Sequence, residues 1–208
     1  MTTLLQIDSS PMGERSISRK LTEKFVDSWR KSHPGGKVIV RDLCTLDLPV
    51  VSGSWIGAVY TAPEARTPEQ TKVLALSDSL IADLQEADEY VLGVPMHNFS
   101  VPSSLKLWID QIVRVGKTFS YSAAGPKGLL TGKKATLLLA RGGVYETGSP
   151  MASFDFVEPY LRTLFAFLGV SVTIISADGT AQLNTGKVDP QAFLAPSLEK
   201  VHAHAHQS

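Results

Sequence analysis

Three short stretches of the 208-residue chain combine small, polar and glycine residues in patterns suited to holding a ligand. The first is Asp8-Ser9-Ser10-Pro11-Met12-Gly13-Glu14-Arg15-Ser16-Ile17-Ser18-Arg19-Lys20. Hydroxyl residues and a glycine lead there into an amphipathic pattern, so the free amides of a helix start, with Ser10, Ser16 and Ser18 as further donors, can cradle an anion. Arg15, Arg19 and Lys20 crowd the positive end of that helix, each unfavourable by about 0.3–1 kcal/mol unless an anion compensates. A phosphate resolves the conflict. Ser16 also suits the N-cap position, a role compatible with anion binding.

The second stretch is Pro95-Met96-His97-Asn98-Phe99-Ser100-Val101-Pro102. Two prolines pin a loop that holds an imidazole, an amide and an aromatic ring. Asn98 can offer a donor and an acceptor to a ligand edge, or it can bond its own backbone as a turn residue. The third is Ala140-Arg141-Gly142-Gly143-Val144-Tyr145, whose paired glycines let the backbone approach a flat ligand and expose its amides. Alone, it would read as an ordinary turn.

Each stretch follows a short apolar run, and those runs are the elements that must position them. Leu4–Ile7, Val38–Val40, Tyr90–Val94, Thr136–Leu139 and Val172–Ile175 read as strands covered on both faces, as in a parallel sheet. Helical patterns alternate with them. Ile17, Leu21, Phe25 and Trp29 recur every four residues. Thr67-Pro68-Glu69-Gln70 is a capping box with proline at the first helical position, followed by a stripe of Val73, Leu76, Leu80 and Leu84. A third helix carries Leu105, Trp108, Ile109, Ile112 and Val113 and is expected to stop at Gly116. A fourth runs from about Asp155 to Leu168, and the last begins at Asp189-Pro190, with a bend expected at Pro196.

Strands separated by helices give right-handed βαβ units. The expected fold is α/β: a doubly wound, five-stranded parallel sheet with helices on both faces, in a single domain over residues 1–208. In such a sheet, ligands bind outside the carboxyl ends of the strands, where all three stretches lie. The connection from Cys44 to Arg66 has no clear periodicity yet carries Leu48, Val50, Val51, Trp55, Ile56, Val59 and Tyr60. So long a loop is uncommon, and its apolar residues are expected to pack on another subunit or over the chain's own sheet edge.

Composition narrows the function classes. Twenty basic and twenty acidic residues give a net charge of +0, which argues against a nucleic-acid partner. A single cysteine, Cys44, excludes an internal disulfide and a cysteine-built metal site. No run is long enough for a membrane span, and Met1–Ser10 lacks the pattern of a signal peptide, so a cytoplasmic protein is expected. G-x-G-x-x-G is absent, and Gly128–Lys134 fails as a nucleotide P-loop because its spacing is short and it precedes a strand. His202, His204 and His206 alternate near the end; a frayed tail over 202–208 is the expectation, and no metal site is assigned.

Ser9-Ser10, Ser16-Ile17-Ser18, Pro95-Met96-His97-Asn98-Phe99 and Arg141-Gly142-Gly143 together resemble the FMN-dependent NADH:quinone oxidoreductases, also called FMN-dependent azoreductases. The resemblance covers nearly the whole chain, including Gly132-Lys133-Lys134-Ala135. It implies a flavodoxin-like fold with strand order 2-1-3-4-5, non-covalent FMN, NADH as donor, quinones and azo compounds as acceptors, and a homodimer with both sites at the subunit interface. By motif match, Ser10, Ser16, Ile17 and Ser18 would hold the phosphate. Met96, His97, Asn98 and Phe99 would line the isoalloxazine ring. Ala140, Arg141, Gly142 and Gly143 would contact its pyrimidine edge. Two positions depart from the family pattern: His97 stands where tyrosine is usual and Ala140 where serine is usual.

No residue is assigned as catalytic, because the flavin N5 carries the hydride. His97 is a candidate proton donor, although a loop histidine with ordinary partners explains it equally. Phe119 and Tyr121 are expected either to form a lid over the flavin or to pack beneath their loop. The alternative function is a flavodoxin-type electron carrier without NADH-driven activity, which the neutral charge and the long phosphate loop disfavour. A receiver-type signalling domain is excluded, since Asp8 stands alone after the first strand and Pro95-Met96 ends the third.

Overall fold

In the computed structural model, which describes residues 2–206, five parallel strands form the central sheet. They are β1 (Thr3–Asp8), β2 (Lys37–Asp42), β3 (Glu89–Pro95), β6 (Lys134–Ala140) and β7 (Ser171–Ala177), in the order β2-β1-β3-β6-β7. The expected five-strand order is changed in detail by an inserted antiparallel pair, β4 (Phe119–Ser122) and β5 (Gly125–Gly128), which stands outside the sheet. That pair escapes sequence reading because Gly-Pro-Lys-Gly has poor strand propensity.

Side-chain alternation along the strands feeds two cores. On one face, Leu4, Val91 and Leu138 meet Leu21, Phe25 and Trp29 of α1 (Ile17–Ser32) and Leu194 and Val201 of α6 (Pro190–Ala205). On the other, Leu5, Ile7, Leu92, Leu137 and Leu139 meet α3 (Pro68–Glu86), α4 (Ser103–Ile112) and α5 (Glu158–Leu168), through Leu80, Trp108 and Phe165 among others. β1, β3 and β6 are buried on both faces, which explains their continuous apolar runs, whereas the edge strands β2 and β7 are only partly covered and leave Val40 exposed.

The capping box forms as read: Thr67 Oγ1 accepts from the Gln70 amide at 3.2 Å, and Gln70 Oε1 accepts from the Thr67 amide at 3.0 Å. Val73, however, is exposed, and the buried stripe of α3 runs through Leu74, Leu80, Ile81 and Leu84. The third predicted helix ends at Ile112, short of Gly116. The fourth starts at Glu158, because Asp155 lies outside it and its carboxylate accepts from the Val157 and Glu158 amides.

Two further expectations are corrected. The stretch from Cys44 to Arg66 is not a bare loop: it holds α2 (Gly53–Tyr60), capped by Ser52, and a short 3-10 turn at Pro63–Ala65. Trp55 and Ala58 pack on Leu74, while Val50 and Tyr60 remain 72% and 79% exposed. The histidine tail is not frayed over its described residues, since α6 continues past Pro196 to Ala205. His202 Nδ1 and His206 Nδ1 lie 2.8 and 2.6 Å from the hydroxyls of Ser28 and Ser32 on α1, and His204 Nε2 lies 3.1 Å from Thr136 Oγ1. Residues 207 and 208 lie outside the described residues.

Candidate functional site

A cleft of about 630 Å³ opens at the carboxyl ends of the strands. Ser10, Ser16, Ile17 and Ser18 line one part of it, and Met96, His97, Ala140 and Gly142 another. The structure therefore brings together residues from all three stretches singled out in the sequence.

At the helix-start end, α1 begins close to the sheet. Gly93 of β3 permits this approach: a Cβ there would stand 2.9 Å from Thr22 Cγ2 and 3.0 Å from the Ser18 carbonyl. Ser16 caps α1 through its Oγ, which accepts from the Arg19 amide at 3.2 Å and lies 3.1 Å from Ser18 Oγ. Among the described residues, the Ile17 and Ser18 amides have no partner, as expected for the first donors of a helix. Ser10, Ser16 and Ser18 are all buried. This donor set, two free amides beside three buried hydroxyls at a helix N-terminus, fits a phosphate.

The cations divide differently from expectation. Arg19 is not available to an anion: its guanidinium donates to the Ser10 carbonyl at 2.7 and 3.0 Å and to Asp42 at 2.7 Å. Arg15 and Lys20 line the cleft and enter none of the ion pairs among the described residues. Beneath the loop, Asp8 is buried and accepts from Thr22 Oγ1 and Gln6 Nε2, both at 2.7 Å. Burial pushes its carboxyl above the ordinary aspartate range, and those two hydrogen bonds pull back against the rise.

At the other end, residues 97–100 make a tight turn closed by two bonds, His97 N–H to Ser100 O at 2.9 Å and Ser100 N–H to His97 O at 3.0 Å. Asn98 and Phe99 at its tip both have positive φ, 48° and 70°, the pair of values a two-residue primed turn requires. A left-handed aromatic residue costs about 1–3 kcal/mol, and such strain concentrates at functional sites. Met96 and His97 line the cleft, whereas Asn98 and Phe99 are exposed at the tip. The Phe99 ring packs 5.4 Å from Phe154, and its carbonyl accepts from the Phe156 amide.

The loop after β6 divides its labour. The Arg141, Gly142 and Gly143 carbonyls accept from the Thr180, Ala181 and Gly179 amides, while the Gly142 and Gly143 amides have no partner among the described residues. A Cβ on Gly142 would meet nothing closer than Ala181 at 3.8 Å, so open space lies beside the backbone there. The Arg141 side chain does not line the cleft. It is buried, bonded in a fork to Asp178 at 2.7 and 2.8 Å and to Asp155 at 2.6 Å. Burial alone would lower its pKa, but the Asp178 bonds and the surrounding carboxylates hold it above the ordinary value.

Phe119 and Tyr121 do not reach this cleft. Phe119 is buried against Phe167 at 4.8 Å, and the β4–β5 pair sits by the end of α5, where a Cβ on Gly128 would lie 2.2 Å from Leu168 C. That is the amino end of the sheet, since the adjacent Ser171 pairs with Lys134 at the start of β6. The packing role therefore wins for Phe119 over a lid on its own cleft, and Tyr121 is left 73% exposed.

The cleft's remaining wall was missed in the sequence: Thr180, Ala181, Leu183, Asn184, Pro190 and Leu194. These residues carry no distinctive chemistry. The usable signal was position, because they follow the last strand just as the recognised loops follow theirs.

A family model described as a flavodoxin-like fold matches residues 2–204. An FMN-dependent NADH:quinone oxidoreductase of Acidobacterium capsulatum is 54% identical over 97% of this chain and 98% of its own. One of Burkholderia lata, FMN-dependent NADH:quinone oxidoreductase 3, is 48% identical over 98% and 99%. Among solved structures, an azoreductase from Bacillus anthracis aligns over all of both chains with a TM-score of 0.90 and 31% identity. An FMN-dependent NADH-azoreductase from the same species, solved in complex with FMN, aligns over 100% of this chain and 99% of its own with a TM-score of 0.88 and 27% identity. By sheet order, matched span and identity, the chain belongs to the flavodoxin-like-fold family, among the FMN-dependent NADH:quinone oxidoreductases.

Proposed function

We propose that this chain is an FMN-dependent NADH oxidoreductase that reduces quinones and cleaves azo compounds, working as a single domain. The observation that carries the reading is the cleft itself, with unpartnered amides at Ile17–Ser18 and again at Gly142–Gly143. One donor pair suits a phosphate and the other a polar ring edge, and the space between belongs to one continuous cavity.

FMN, when bound, supplies two-electron hydride chemistry, accepting from NADH and donating to a quinone or azo compound in successive half-reactions. The protein's own contribution is binding, orientation and electrostatics. Ser10, Ser16 and Ser18 hydroxyls with the Ile17 and Ser18 amides hold the phosphate, and Arg15 and Lys20 add positive field. The Gly142 and Gly143 amides supply fixed donors that favour negative charge on the ring edge. The Met96–Phe99 turn, closed on itself by the His97–Ser100 bonds, keeps Met96 and His97 in the wall and excludes water from that side. His97 stands in that wall where the family resemblance leads one to expect tyrosine, so His97→Tyr is the substitution with which to test its part in acceptor choice.

The proposal includes a homodimer, supported by the exposed apolar residues Val50, Ile56, Tyr60 and Phe156, which a second copy would cover. Sedimentation at micromolar concentration tests it; a monomer refutes it. A cytoplasmic location is part of the same reading, supported by the exposed free thiol of Cys44, which suits a reducing compartment. No helix among the described residues is long and apolar enough to cross a membrane. The decisive experiment is an absorbance spectrum of protein reconstituted with FMN, before and after anaerobic NADH. Flavin bands that bleach and then return on adding benzoquinone support the enzyme. Bands that stay oxidised with NADH would favour the electron carrier.

A further inference from the structure

The most heavily bonded buried cation in the molecule stands next to the cleft without entering it. Arg141 joins three segments that meet only in the folded chain: the loop after β6, the residue that caps α5 (Asp155) and the residue that follows β7 (Asp178). Its fork to Asp178 is bidentate, the geometry only arginine supplies. Its backbone is tied as well. Arg141 N–H donates to Ala177 O at 3.0 Å, and its carbonyl accepts from both Thr180 N–H and Thr180 Oγ1. The next residues, Gly142 and Gly143, present the free amides. Glycine pairs are the most conformationally free dipeptides in a chain. What aims these donors is their carbonyls' bonds to the Ala181 and Gly179 amides, on the very segment that Arg141 anchors through Asp178. Tyr145 closes the arrangement, its ring 5.6 Å from the guanidinium carbon.

We infer that Arg141 is a positioning residue: its side chain, turned away from the cleft and locked between Asp155 and Asp178, holds the Gly142 and Gly143 amides rigid as donors to the electron-accepting ring. This rests on the FMN reading and deepens it, because fixed donors bind the more negative, reduced form of the ring better than the oxidised form. Loosening them therefore alters the balance between the two redox states, not merely the grip on the cofactor.

The test uses Arg141→Lys, which keeps the charge and loses the fork, against Lys37→Gln, which touches only the surface pair with Glu86 at the far end of the sheet. Expected for Arg141→Lys is a cooperative melt, FMN affinity about tenfold weaker, and a roughly tenfold smaller preference for reduced over oxidised flavin. For a two-electron couple that preference appears as a midpoint about 30 mV more negative. Lys37→Gln should match wild type in both. An Arg141→Lys protein that folds and binds FMN with an unchanged midpoint overturns the inference, whether or not affinity falls. A second readout needs neither variant nor cofactor: amide relaxation of wild-type protein by NMR. Order parameters at Gly142 and Gly143 close to those of β6 are expected, and values typical of a flexible loop, below about 0.6, overturn it. Failure of the FMN reading itself would look different, as wild-type protein that binds no flavin.

Discussion

The two ends of the cleft solve the same problem, holding backbone amides ready for a negatively charged partner, by opposite routes. At the Ser16–Ser18 end the donors belong to the first turn of α1, and the helix itself aims them. Every donor lies within residues 10–20, and the loop is tied from behind by Arg19 to Asp42 and seated against the sheet at Gly93. At the Gly142–Gly143 end no helix does this. Donor direction depends on Asp155, Asp178, Gly179, Thr180 and Ala181, which are between 14 and 40 positions away in sequence from Arg141. The first end is local and self-supporting; the second is assembled late and depends on partners. The contrast teaches that two donor pairs of similar chemistry can differ in how easily they are broken at a distance.

The largest expected effect breaks the first end alone. Ser16→Ala with Ser18→Ala removes two hydroxyls that bond a charged phosphate, at about 1.5–3 kcal/mol each. FMN affinity should fall by roughly a hundredfold or more in a fluorescence titration. Riboflavin, which lacks the phosphate, should bind the double variant as it binds wild type. Loss of both ligands would mean that the two ends are not separable. Loss of the Ser16 cap should also cost about 1 kcal/mol of stability.

Next comes the ring end. Gly142→Ala adds a single Cβ that meets nothing closer than Ala181 at 3.8 Å, so the melting temperature without ligand should hold. With flavin the overpacking cost of about 1–3 kcal/mol should weaken FMN and riboflavin equally, by roughly 10- to 100-fold. Selective loss of FMN would place Gly142 beside the phosphate and reverse the assignment of the two ends.

A smaller effect concerns pH. The raised pKa of Asp8 means that the folded state binds a proton more readily than the unfolded chain. Stability should therefore decline as pH rises from the ordinary aspartate value of 3.8 through the higher folded value, and Asp8→Asn should abolish that decline. Identical pH–melting curves for the two proteins would refute a perturbed Asp8. The smallest effect serves as a control remote from both ends. His202→Ala with His206→Ala removes two contacts between α6 and α1 and should lower the melting temperature slightly while FMN affinity stays constant. In wild type, burial depresses the His204 pKa below 6.5, so α6 docking should weaken as pH falls through that value.

Much of this architecture is legible in the residues because its signals are local. Thr67-Pro68-Glu69-Gln70 announces α3, Ser16 announces α1, and continuous apolar runs announce buried strands. The phosphate cradle is legible for the same reason. The fork from Arg141 to Asp178 is not, since nothing near Arg141 in sequence distinguishes a ligand-facing arginine from a buried one. Arg19 misleads in the same way: its helix position suggests anion binding, and only the fold brings Asp42 beside it. The helix α2 is hidden by its eight-residue length and the glycines at 53 and 57, and Leu183 and Leu194 join the cleft solely through tertiary placement.

The wall formed by Thr180–Asn184, Pro190 and Leu194 has a consequence for how the protein is made. The chain emerges from synthesis amino end first, and contacts of high sequence separation form late. The helix-start donors are complete within the first twenty residues, yet the opposite wall of the proposed flavin cleft, and the Leu194 and Val201 side chains on which α1 packs, come from residues 180–201. A chain halted before Thr180 should therefore fail to retain FMN, and capture of the cofactor would join the earliest and latest segments of the polypeptide.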